Sequence, residues 1–155
     1  MKTRTSAALL VAAISCLCAS IAGAQTKPNF SGTWKMNREK SKAETLDKFR
    51  SIIAKIEHNE PHFSESVTLT HDGGDFTAEG NYTTDGKESE AQSTSGALKA
   101  TAKWEGDALI VEWKNEGFHV RRKYTLAADG KTLTVNARHS TTNGEVDEIT
   151  VFEKQ

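Results

Sequence analysis

From Phe63 onward, apolar and polar residues alternate along the chain. Phe63, Glu65, Val67, Leu69 and His71 fall on one face, followed by Phe76, Ala78, Gly80 and Tyr82. Leu98, Ala100, Ala102 and Trp104 repeat the pattern, as do Leu109, Val111 and Trp113, then Val120, Arg122, Tyr124 and Leu126, then Leu133, Val135, Ala137 and His139. A period of two is the signature of a strand with one face buried. Between the runs stand Asp72-Gly73, Asp85-Gly86, Gly106-Asp107, Asp129-Gly130 and Asn143-Gly144. Asn-Gly and Asp-Gly pairs suit the two positive φ angles of a type I′ turn, so the pattern predicts a succession of antiparallel hairpins.

The N-terminal part adds two elements of different character. Residues 30–37 read as a first strand, with Trp34 and Met36 opposite Thr33 and Lys35. Ser41-Lys42-Ala43-Glu44 fits a capping box, and Leu46 and Phe49 are three apart, which predicts a short helix over residues 42–50. Ile52, Ala54, Ile56 and His58 then alternate as a strand that stops at Asn59-Glu60-Pro61. Residues 88–94 are nearly all polar and predict a weak edge strand or a loop. In the last segment, 146–153, Ile149, Val151 and Phe152 break strict alternation and suggest a bulge. Nine or ten strands with one apolar face predict an all-β fold, an antiparallel up-and-down barrel with one short helix after the first strand. A two-sheet β-sandwich is the alternative.

Residues 1–24 stand apart. Lys2 and Arg4 precede an apolar stretch too short to span a bilayer, and Ala22-Gly23-Ala24 offers a small-residue cleavage site. This reads as a signal peptide cleaved after Ala24, leaving one domain over residues 25–155 with no transmembrane segment, secreted or periplasmic. A lipoprotein anchored through Cys16 is the rival reading, although the leucine usual three places before such a cysteine is missing. Cleavage after Ala24 removes both cysteines, Cys16 and Cys18, so stability must come from the core. With Lys2 and Arg4 gone, the 21 acidic residues outnumber the basic ones by three. Charges of both signs are interspersed, which argues against nucleic acid as a partner and suits a soluble monomer.

The opening Ser31-Gly32-Thr33-Trp34-Lys35 resembles the Gly-x-Trp first strand of the calycin superfamily, the lipocalins and fatty-acid-binding proteins. Together with Lys40-Ser41 and Asp129-Gly130-Lys131-Thr132-Leu133, it is similar to small exported bacterial lipocalin-like proteins of unassigned function. The resemblance implies a ligand-binding barrel in which Trp34 packs across the closed end. The Thr-Asp-Tyr element of typical lipocalins is missing, and the last strand lacks the Arg-x-Tyr pair with which fatty-acid-binding proteins hold a carboxylate. Fatty-acid binding therefore does not carry over.

Arg122 and Tyr124 share the apolar face of Val120 and Leu126, which places a guanidinium beside a phenol in the expected interior. Such a pair could orient the polar end of a ligand, or Arg122 could pair with inward Glu65 as a structural bridge. Trp104, Trp113, Val111, Tyr82, Phe76 and Leu69 are the remaining candidates for a ligand-lined interior, with core packing as the plainer role. His58, His71 and His139 also point inward but lack metal-ligand spacing, and nucleophile, phosphate-loop and metalloprotease motifs are missing, so no cofactor, metal or catalytic residue is assigned. The sequence thus points to an exported, non-enzymatic protein that binds a small apolar or amphipathic ligand inside the barrel. Two alternatives remain: a filled barrel acting through its outer surface as a protein-binding or inhibitor module, and a small barrel enzyme acting on a lipid-like substrate, with Glu65 and His58 or His71 as its pair.

Overall fold

The computed structural model describes residues 26–93 and 96–155; the leader-like stretch 1–24, with Cys16 and Cys18, lies outside them. Ten strands follow one another: β1 Gly32–Met36, β2 Ser51–Asn59, β3 His62–His71, β4 Gly74–Thr83, β5 Asp85–Ser93, β6 Gly96–Glu105, β7 Ala108–Asn115, β8 Phe118–Leu126, β9 Thr132–Thr141 and β10 Gly144–Lys154. All pair antiparallel in one sheet of order β4-β3-β2-β1-β10-β9-β8-β7-β6-β5. Because β1 pairs with β10, the meander curls into a barrel that is closed except between β4 and β5, which share no ladder. The nearly all-polar β5 is therefore an edge strand, where side chains that meet water cost least.

Alternation decides which residues face inward. Along β2, Ile52, Ala54, Ile56 and His58 are buried, and Leu109, Val111 and Trp113 on β7 are buried likewise. Trp34, Phe30, Phe63 and Tyr124 are among the largest fully buried side chains, and they gather at one end of the barrel. The Trp34 indole donates to the Phe30 carbonyl at 2.9 Å, so its one polar atom is satisfied. Lys154 Nζ lies 5.2 Å from the centre of its ring.

Four sequence expectations are corrected. The helix over residues 42–50 is reduced to a single 3₁₀ turn, Glu44–Leu46. Ser41 does not cap it: its hydroxyl donates to the Asn37 carbonyl and accepts from the Val151 amide, while Lys42 pairs through its backbone with Ile149 of β10. That pairing holds the chain extended where the first helical turn would begin. Second, every positive φ among the described residues belongs to glycine, so the Asp-Gly and Asn-Gly turns are not of type I′, which requires the Asp or Asn to adopt one too. Third, Asp85-Gly86 opens β5 without making a hairpin, since β4 and β5 do not pair. Fourth, β10 runs in continuous register with β9 from Gly144 to Glu153, and the irregularity falls instead between Asp85 and Glu88 of β5.

Candidate interior binding site

The barrel encloses a cavity of about 340 Å³, within the range of about 300–1,000 Å³ usual for small-molecule pockets. Its wall is mainly apolar: Ile52 and Ile56 from β2, Val67 and Leu69 from β3, Val120 from β8, Val135 from β9. Thr45 and Leu46 of the 3₁₀ turn contribute at the mouth. Strand parity builds this wall, because each second residue of an inward-facing run presents its side chain to the same space.

Five polar or aromatic side chains form one cluster within it. Tyr124 donates its hydroxyl to Glu65 at 2.8 Å, and Arg122 Nη1 approaches the other oxygen of Glu65 at 3.8 Å. The Arg122 guanidinium lies 4.7 Å from the centre of the Trp113 ring, a cation–π arrangement, and the Trp113 indole donates to the Tyr82 hydroxyl at 2.9 Å. Burial pushes the Tyr124 phenol well above its ordinary range, and the charge of Glu65 adds to the shift. Burial likewise raises Tyr82. For Arg122 burial disfavours the cation, but Tyr124 and Glu65 outweigh it, so the guanidinium is held more firmly charged than usual. The Arg122 side chain keeps 34% of its exposure because it faces the cavity.

Gly80 makes room for this cluster. It lies opposite Glu65 in the β3–β4 ladder, and a Cβ there would overlap the Tyr82 phenol.

A second polar group stands at the mouth. Glu148 is buried on β10, where it accepts from both the backbone amide and the hydroxyl of Thr45, and His139 Nε2 lies 3.4 Å from its other oxygen. The carboxylate thereby ties the 3₁₀ turn to the barrel wall. Neither Glu148 nor Thr45 stood out in the sequence, because the apolar Ile149 and Val151 of β10 point outward while Glu148, Thr150 and Phe152 point in. Counting back by two from Phe152 is the signal that would have found Glu148.

The opposite, closed end carries a third network. His58 accepts from the Phe30 amide through Nδ1 at 3.3 Å, which leaves the hydrogen on Nε2 to be donated to Glu60 at 2.9 Å. Thr84 and the Trp104 indole also donate to Glu60. Burial would raise the Glu60 carboxyl, but hydrogen bonds from Thr84, His58 and Trp104 bring it below its ordinary value.

Of the candidates from sequence, Arg122, Tyr124, Trp113, Tyr82 and Leu69 stand on the cavity wall. Trp104 does not: it stacks on Phe30 at the closed end, with centroids 5.8 Å apart. Val111 is packed in the core cluster and off the wall. Phe76 is 48% exposed and sits with Phe49 and His71 in a separate surface depression, because β4 lacks a partner on its other side. The three histidines expected inward occupy separate settings: His58 is at Glu60 and His139 at Glu148, whereas His71 is exposed at the end of β3 and accepts from the Gly73 amide. Glu65 meets Tyr124 and Arg122 and not His58 or His71, so the suggested catalytic pairs are not assembled.

A ten-stranded meander curled around an apolar-walled cavity, with a short segment after its first strand at the mouth, is a calycin-type barrel. Among solved structures, the chain is similar to a zebrafish ileal bile acid-binding protein complexed with cholic acid, at 16% identity and a TM-score of 0.59, over 81% of this chain and 98% of that one. It is also similar to the fluorescent protein UnaG (13% identity, TM-score 0.62, 81% of this chain and 97% of that one). A third is a secretary abundant heat soluble protein from Ramazzottius varieornatus, at 13% identity and a TM-score of 0.64, over 84% and 98% of the two chains. At these identities the likeness establishes the fold. No family model matches the sequence, and no curated protein matches it.

Proposed function

We propose that this protein is a monomeric, non-enzymatic binding protein that holds a small apolar or amphipathic molecule inside its barrel, and that residues 1–24 direct its export. The observation that carries this reading is the apolar cavity of about 340 Å³, with Arg122, Tyr124, Glu65 and Tyr82 grouped on one part of its wall. Apolar walls supply affinity, and a few fixed polar groups set orientation. Solved relatives of the same fold include a bile acid-binding protein complexed with cholic acid, which supports an interior site.

The test is uptake of the neutral fluorescent probe N-phenyl-1-naphthylamine, followed by emission. The expected outcome is saturable binding, lost in Ala137→Trp, whose indole would project from β9 into the cavity without touching the closed-end core. Failure of the probe to bind, or equal binding by the filled variant, would refute an interior site.

A further inference from the structure

The electrostatics of the cavity narrow the ligand class, an inference that rests on the interior-site reading above. The charged groups whose side chains point into the cavity are Glu65, Glu148 and Arg122, with His139 as a further titratable group; Glu79, which also borders it, is exposed and on the outward face of β4. Two carboxylates thus share the wall with one guanidinium. That guanidinium is already committed, since it lies against the Trp113 ring and 3.8 Å from Glu65. Glu148 at the mouth is spent on Thr45 and His139, yet it remains an anion that an entering headgroup must pass. With His139 counted as neutral, the wall carries one more negative than positive charge. At the rim, Arg50 is paired with Asp72.

We infer that the cavity selects amphiphiles with an uncharged or cationic polar end and discriminates against carboxylates of the same chain length. A carboxylate that accepts from the guanidinium would lie beside the Glu65 carboxylate, like charge against like, and one that does not would stay unpaired; both are costly away from bulk water. A hydroxyl or carbonyl can accept from the guanidinium with Glu65 left in place. An ammonium group gains from Glu65 or Glu148 directly.

Displacement of N-phenyl-1-naphthylamine from the full chain by decanol, decylamine and decanoate at pH 7 tests this. Decanol and decylamine are expected to compete at least about tenfold better than decanoate, the scale of one unfavourable charge contact. Glu65→Gln keeps an acceptor for Tyr124 but frees Arg122, and it should narrow the gap by improving decanoate while leaving decanol little changed. Decanoate competing as well as decanol on the unaltered chain would overturn the inference while leaving the interior site standing, and this comparison does not depend on the variant folding. If the variant folds and decanoate does not improve, the assigned role of Glu65 is wrong. If the probe itself does not bind, the interior-site reading falls first and this one with it.

Discussion

Tyr124 donates its hydroxyl to a carboxylate that is 6% exposed in its side chain, and the energetics of the interior turn on that contact. Glu65 is tolerated inside the barrel because one oxygen accepts from Tyr124 and the other faces Arg122. Removing the phenolic hydroxyl leaves a buried acceptor without its donor, which costs more than the bond itself is worth. Tyr124→Phe should therefore destabilise the fold by about 1–3 kcal/mol, read as a lower urea midpoint with an unchanged slope. An unchanged midpoint would show that Glu65 does not rely on Tyr124. Arg122 is a different case, since the face of Trp113 supports its charge from one side and Glu65 from the other. A lysine there would lose the flat stacking that the guanidinium provides.

The β2–β3 hairpin shows how elements are tied together at the closed end. Glu60, just after β2, collects hydrogen bonds from His58, from Thr84 beyond β4 and from Trp104 of β6, so one carboxylate joins three parts of the barrel. Its folded pKa is depressed below the ordinary 4.5. A depressed carboxylate contributes stability that is fully present above the unfolded pKa and lost as pH falls through the folded one. The urea midpoint should thus fall below about pH 4.5, and Glu60→Gln should flatten that fall. A variant that keeps the full acid dependence would assign it to other carboxylates. At this scale the sequence was readable wherever alternation coincided with apolarity. Strands β2, β3, β6, β8 and β9 follow that rule, β7 is buried from Ala108 through Val111 on both faces, and Glu65 and Arg122 were placed inside by parity alone. Elements shaped by tertiary contacts were not readable. Residues 42–50 carry a local helix signal that loses to the Lys42–Ile149 bridge and to Glu148 binding the Thr45 amide. In β10 Ile149 and Val151 face outward while Glu148 and Phe152 face inward, so apolarity marked neither face.

Viewed as a whole, the barrel divides its interior into two regions. One end is filled by Phe30, Trp34, Phe63 and Trp104, with Phe30 stacked on Trp104 and edge-on to Phe63, and sealed by the Glu60 network. The other end is left open to form the cavity, with the 3₁₀ turn tied across its mouth through Glu148. Sequence predicted Trp104 as cavity wall because parity gives the face of a residue but not its height along the barrel axis; Val111, directly across from Arg122 in the ladder, is fully buried in the core instead. Height depends on how strands are staggered, and that follows only from the ladder registers. Leu69 and Phe76 show a different limit, the open edge of β4, being paired directly across β3 and β4 while only Leu69 reaches the cavity.

The central claim is that inward parity creates a cavity that a ligand enters. Methyl-labelled protein with bound N-phenyl-1-naphthylamine, observed by nuclear Overhauser effects in solution, tests it most directly. Contacts from the probe to the methyl groups of Ile52, Val120 and Val135 are expected, with none to the outward-facing Ile149 and Val151. Contacts to Ile149 and Val151 alone would contradict the account.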